Sequence, residues 1–241
     1  LVRVDAHAGY PPGYVLKVAQ SLIETGADSV ATVMDPVGEG CFRKGHIAAL
    51  DTRLGTGGSA HRGGTRSGWV DHGHHAAFRL DRFRALGGYD VLATVNEDAE
   101  YDYRLGQAGG RVWLNADIRL DYLVRGTPAA LARQYWKYGR DRARTALKHG
   151  AMPRLRQIVP PLATLGLALA LVAGLALPVL WLVPAAYLAL LAGTALGLAV
   201  QRRSMCVLWA GPALAIMHLA WGAGFLRQLA TPWNRCIRSF P

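Results

Sequence analysis

Two short acidic stretches are the places where this chain could do chemistry. The first is Asp5-Ala6-His7, which follows a run of apolar residues that reads as a strand. A carboxylate and an imidazole two residues apart, just beyond a strand, can both reach one Mg²⁺ or Mn²⁺ that also holds a diphosphate. The second is Asn96-Glu97-Asp98-Ala99-Glu100, with Asp102 close behind. Acids this dense at a helix start form a solvated face, complement the helix dipole, or keep one carboxylate in reserve for use. A third stretch, Trp69-Val70-Asp71-His72-Gly73-His74-His75, carries the residue types of a transition-metal site and so of a metal-centred hydrolase. Strand alternation, however, places His72 and His74 on one face and His75 on the other. A fourth, Arg133-Gln134-Tyr135-Trp136-Lys137-Tyr138-Gly139-Arg140, interleaves aromatic and cationic side chains as membrane-interface belts do.

The elements that must position these residues follow from periodicity. Leu1 to Val4 reads as a strand, and Gly9-Tyr10-Pro11-Pro12-Gly13 as a turn. Val15, Val18, Ala19, Leu22 and Ile23 then mark one face of a helix over 14–25 that Gly26 ends. Ser29 to Met34 is a second strand, so the opening has the strand-helix-strand rhythm of an α/β sheet with parallel members. Six glycines between Gly55 and Gly68 predict a mobile loop. Glycine-rich loops can cradle phosphate, but no Lys-Ser/Thr follows this one as in a P-loop. Strands are predicted over 69–80 and 111–114, and helices over 81–86, 97–107 and from 129 to about 149.

Composition supplies the rest. Ile158 to Val200 is 43 residues without a charged side chain, long enough for two membrane spans joined by a tight turn. Met205 to Leu226 adds 22 apolar-rich residues with His218 near the middle. The formal charge of +11 is not spread evenly: residues 1–124 carry 13 Lys/Arg against 15 Asp/Glu, whereas residues 125–156 carry 9 against 1. Basic residues beside apolar spans hold a chain to acidic headgroups, while a nucleic-acid binder would carry them on its folded domain. Nucleic acid is therefore not an expected partner, and membrane lipid is. Three cysteines at no metal or redox spacing predict no disulfide framework and fit a reducing compartment. The opening Leu-Val-Arg-Val-Asp reads as the end of a buried strand, as if the chain were a fragment.

Taken together and in this order, the four stretches resemble the family-two glycosyltransferases of the succinoglycan type, which extend lipid-linked exopolysaccharide repeat units. Arg3-Val4-Asp5-Ala6-His7-Ala8, residues 54–62, residues 69–75 and Asn96-Glu97-Asp98-Ala99-Glu100 carry the likeness. It covers residues 1–150 closely and the apolar tail more loosely. The resemblance implies an α/β, Rossmann-like GT-A domain followed by an α-helical transmembrane anchor. The expected divisions are a catalytic core over 1–124 that lacks the family's first nucleotide-binding strands, a basic amphipathic interfacial helix over 125–157, and transmembrane helices with a basic tail over 158–241.

The resemblance also implies roles. Asp5 and His7 stand where most members have Asp-x-Asp and would bind Mg²⁺ or Mn²⁺ together with a UDP-sugar. Asp98 of the Glu97-Asp98 pair would be the general base. Gln134, Lys137 and Tyr138 look like a relaxed form of the Gln-x-x-Arg-Trp signature of processive synthases, and they join His74 and His75 among the residues expected to bind donor or acceptor. Lys for Arg and Tyr for Trp point to a single addition over polymerisation. The implied reaction moves a sugar, glucose being the one expected, to a polyprenyl-diphosphate-linked saccharide with inversion. Its setting is the bacterial inner membrane, with the catalytic domain in the cytoplasm. A truncated, inactive membrane scaffold and a processive synthase are the alternatives. By the positive-inside rule Arg154 and Arg156 lie in the cytoplasm before the first span. The segment 205–226 then crosses or re-enters, and the charges after it favour a cytoplasmic tail.

Overall fold

The computed structural model describes residues 1–6, 8–59, 61–62, 64–91, 93 and 95–231, apart from the side chains of His75 and Ala76. Five strands are described: β1 (Ala8–Gly9), β2 (Ser29–Val37), β3 (Gly68–Val70), β4 (His74–Phe78) and β5 (Val112–Leu123). The early helices are α1 (Tyr14–Thr25), α2 (Cys41–Leu50), the single turn α3 (Arg53–Thr56), α4 (Leu80–Ala85) and α5 (Glu97–Gln107). The later ones are α6 (Pro128–His149), α7 (Leu155–Ala173), α8 (Leu182–Gln201) and α9 (Ala210–Leu229), with short 3₁₀ turns before α8 and α9. The chain divides into two compact units: Leu1–Val37 with Thr56–Val124, and Gly38–Gly55 with Arg125–Pro241.

The first unit is a mixed sheet in the order β1-β5-β2-β4, with β3 also on β5. β2 and β5 are parallel, and β1, β3 and β4 pair antiparallel with their neighbours. The α/β expectation therefore holds. β2 is buried along its first six residues, as a central strand covered on both faces must be, while β5 alternates with Val112, Leu114, Ala116, Ile118, Leu120 and Tyr122 inward. Phe78, Tyr101 and Leu105 complete this core, against which Phe83 and Tyr89 pack.

Three local expectations are corrected. Leu1 to Val4 forms no full strand; Val2 makes an isolated antiparallel bridge to Ala77, and Leu1 exchanges hydrogen bonds with Phe78. The predicted strand over 69–80 is two strands, β3 on β5 and β4 on β2, because the chain is pinned between them. A Cβ on Gly73 would fall 1.9 Å from the Cβ of Ala31, so only glycine permits this approach. In α1 the buried seam is Tyr14, Val18 and Ser21, and Val15 and Ile23 face outward, since the i, i+4, i+7 line meets the sheet.

The second unit is helical, and residues 38–55 belong to it although they interrupt the sheet unit in sequence. The sequence had marked no element there. α2 packs on the turn before α9 and is bonded to it by a disulfide from Cys41 to Cys206, 165 residues apart. This corrects the reading that the cysteines do not pair, and removes the support they gave to a reducing compartment. Leu155–Ala173, Pro178–Gln201 and Met205–Leu229 are each long and apolar enough to cross a membrane. Leu162, Leu169, Val172, Leu182, Leu188 and Leu196 of α7 and α8 are exposed, as lipid-facing positions would be.

Candidate functional site

The acidic residues at the head of α5 are not a solvated face. Asp98, Glu100 and Asp102 are 5 %, 2 % and 5 % exposed, so each carboxylate needs a partner. Glu100 is held by Arg104 one turn on, whose guanidinium also donates to the carbonyls of Leu86 and Gly88 and so ties down the preceding loop. Asp98 and Asp102 lie four residues apart on one helix face, and each meets a histidine from the segment around β4. Nε2 of His74 is 3.3 Å from Oδ2 of Asp98. Nδ1 of His72 is 2.8 Å from Oδ2 of Asp102, which also accepts the Gly73 N–H at 3.1 Å. The ring of His61 stands edge-on to that of His72 at 5.3 Å.

Asp5 joins this group through Arg3. The guanidinium reaches Oδ1 of Asp5 at 3.3 Å and Oε1 of Glu97 at 2.7 Å, while lying 5.5 Å above the ring centre of Tyr89. Arg3 is thus a bridge between the two acidic motifs singled out in the sequence. The Asp5 amide donates to the Tyr10 hydroxyl at 2.6 Å, which fixes the chain just before His7. Asn96, with φ of 58°, makes the left-handed turn that starts α5 and sets the direction in which Glu97 and Asp98 leave it.

The two buried carboxylates on that face are driven apart. Burial pushes Asp98 upward, but the charges of His74, His72 and Arg3 and the Ala99 N–H outweigh it, and the group is held below the usual carboxylate range. For Asp102 burial prevails over the His72 hydrogen bond and charge, and with the negative charge of Asp98 added the pKa is raised. One environment thus keeps an ionised carboxylate next to one that holds its proton more tightly, the pattern that separates acid and base roles.

Of the residues marked in the sequence, the structure brings Asp5, Glu97, Asp98 and His74 together in the sheet unit. His7 and the side chain of His75 lie outside the described residues. Gln134, Lys137 and Tyr138 are on α6 in the helical unit, where the Gln134 amide donates to the Tyr138 hydroxyl at 2.8 Å and Lys137 is exposed. Among the described residues no three His, Cys, Asp or Glu side chains gather as a metal cluster, and His72 and His74 go to different carboxylates. Sequence reasoning noted Arg3, His72 and Asp102 but gave none of them a role at the site. The spacing of Asp102 from Asp98 was the available signal, since i and i+4 share a helix face.

No protein-family profile matches the chain. The chain is 43 % identical over 233 residues to the succinoglycan biosynthesis protein ExoA of Rhizobium meliloti (strain 1021), an alignment that covers 95 % of this chain and 69 % of that protein. This chain belongs to the succinoglycan-type glycosyltransferases.

The pair beneath Asp98 has a measurable consequence. Asp102→Ala leaves His72 Nδ1 and the Gly73 N–H without their shared acceptor, and we expect a loss of about 3 kcal/mol, the low end for a broken buried pair because His72 is partly exposed. Denaturant unfolding of the detergent-solubilised protein measures it. An unchanged midpoint would show that the 71–74 segment is held by other contacts.

Proposed function

We propose that the protein transfers a sugar, with inversion, from a UDP-sugar to a polyprenyl-diphosphate-linked saccharide, with Asp98 as the general base. The observation that carries this reading is the buried Asp98 carboxylate, kept ionised beside His74 at 3.3 Å and joined to Asp5 through Glu97 and Arg3. In the reaction an acceptor hydroxyl oxygen bonds to the anomeric carbon while the bond from that carbon to the UDP oxygen breaks. The hydroxyl proton goes to Asp98. Removing it in the transition state is worth about 10²- to 10⁴-fold in rate. His74 holds the carboxylate in its charged form, and Arg3 adds a fixed positive charge between Asp5 and Glu97.

Asp5 and His7 suit a hard divalent cation, Mg²⁺ or Mn²⁺: the Asp5 side chain is partly exposed and supplies carboxylate oxygen, and imidazole is accepted by Mn²⁺. Such an ion would neutralise the departing diphosphate. Glucose is the sugar expected, Gln134, Lys137 and Tyr138 with His75 are placed with the substrates, and the cations of α6 suit a diphosphate head group. Because UDP-sugars are made in the cytoplasm, residues 1–156 belong on the cytoplasmic side of the bacterial inner membrane.

The test is transfer from a panel of UDP-sugars to lipid-linked acceptor by the membrane-embedded protein, titrated with Mn²⁺ and Mg²⁺. One UDP-sugar, UDP-glucose, should be used well above the rest. Asp5→Ala and His7→Ala should each raise the metal concentration for half-maximal rate by about 10- to 100-fold, the range seen when support of a metal site is lost. Titration curves that overlay wild type would put the metal elsewhere, and absence of transfer from every donor would remove the reading altogether.

A further inference from the structure

The helical unit shows how the third apolar segment, Met205–Leu229, relates to the other two. It is the most enclosed of the three by protein, with 39 % of its apolar window buried against 17 % for the first and 11 % for the second. Its main cover is a helix rich in charge. α6 packs more extensively on α9 than any other element does, and it carries Arg133, Lys137, Arg140, Arg142, Arg144 and Lys148 along its length. The seam is made by glycines. A Cβ on Gly139 would fall 1.9 Å from the carbonyl oxygen of Trp221, and one on Gly224 would fall 2.2 Å from that of Trp136. Three residues forward on α6 are three back on α9, so the two helices run antiparallel and side by side. A helix crossing the bilayer would draw these cations into the hydrocarbon with it.

The contacts with α7 and α8 give the direction of α9. Gly211 meets α8 at the Leu191 carbonyl and the Ala195 side chain, and Gly222 meets α7 at the Pro160 carbonyl and Thr164. At 1.5 Å per residue, the site on α7 lies roughly 14–20 Å and the site on α8 roughly 21–27 Å from the turn that joins the two helices. α9 therefore passes obliquely from one span to the other, moving only about 7 Å along them over a length of about 16 Å. Had it crossed in step with α7, starting from the level of Arg202 and Arg203, Gly222 would be level with the last turn of α7, about 28 Å from its start. It meets the second and third turns instead, at Pro160 and Thr164. Between these contacts Nε2 of His218 lies 2.8 Å from the Leu54 carbonyl, and Nδ1 lies 3.1 Å from the Tyr187 hydroxyl. Residues 38–55 supply further cover: Gly45 lies against Trp209, and Asp51 pairs with Arg202. An isolated single turn such as α3, which holds Leu54, leaves most of its backbone groups without partners inside the turn and has no place facing lipid in the hydrocarbon core.

We infer that α9 lies in the plane of the membrane interface as a docking helix for lipid, paired with α6, and that only α7 and α8 cross. The cations of α6 complement acidic headgroups, and the segment after α9 is on the same side as residues 1–156. Two measurements on the full chain test this. Paired fluorescent-protein and alkaline-phosphatase fusions after Pro241 are compared with the same fusions at 152 and at 176, which mark the two sides. The fusion after Pro241 should behave as the one at 152, and behaviour matching 176 overturns the inference. Depth is then read by spin labels on Leu219→Cys, near the middle of α9, and Leu169→Cys on α7, both in a Cys236→Ser background in phosphatidylcholine–phosphatidylglycerol nanodiscs. The label at 219 should be shallow, with oxygen access well below that of 169. Equal depth would show a re-entrant or crossing helix and overturn the in-plane placement.

Discussion

Asp98→Asn is expected to lower sugar transfer by about 10³-fold while leaving UDP binding nearly unchanged. The amide keeps the shape of the carboxylate but cannot accept a proton, and the uncatalysed loss of the hydroxyl proton then limits the rate. Donor affinity is spared because the residues proposed for the diphosphate are Asp5 and His7, to which Asp98 connects only through the chain of Glu97 and Arg3. Transfer of radiolabelled sugar under single-turnover conditions, beside calorimetric titration with UDP, separates the two quantities. Near-normal turnover would remove Asp98 from the chemistry. Loss of UDP binding together with turnover would instead assign it to the donor.

The second large effect is a change in pH dependence. Burial by itself raises the pKa of Asp98, and the positive charge of His74 is the largest of the influences that bring it below its ordinary value of 3.8. His74→Gln removes that influence, so the pKa must rise and the ionised, proton-accepting form must be lost at a higher pH than in wild type. The acid limb of kcat/KM should accordingly move to higher pH, with the greatest deficit at the acid end and recovery as pH is raised. The same sign governs stability. A depressed carboxylate contributes stability above its unfolded pKa and loses it as pH falls through the folded value, so the wild-type advantage over His74→Gln disappears in acid. A variant whose profile is scaled down uniformly, with no displaced limb, would mean that His74 acts on substrate and not through Asp98.

Much of the fold was legible because its signals are local. The helices over 14–25 and 97–107 follow from periodicity and glycine stops, and their ends match the structure. The first two apolar runs declare themselves by length alone. The strand over 69–80 failed because its break depends on Gly73 meeting Ala31, a residue 42 positions earlier that no window on the sequence contains. Residues 38–55 went unassigned for a related reason: α2 is buried against the turn before α9, and its cover comes from more than 150 residues away.

By itself the sequence determined which residue types were available and where the charge and the apolar length lay: Asp5 and Asp98 beside element ends, histidines near β4, cations over 125–156, and runs fit for lipid. It left open whether the acids at 97–102 were solvated, capping or reserved for use, because each option has the same composition. Tertiary structure decided this. It buried Asp98 and Asp102, aimed a different histidine at each, and drew Glu97 to Arg3 across 94 positions of sequence. It also paired Cys41 with Cys206 and laid a cationic helix along α9, which hydropathy alone scores as a span. The physical reason is the same in each case: hydropathy and periodicity are properties of neighbours along the chain, whereas ionisation, disulfide pairing and helix direction depend on groups that meet only when distant segments pack.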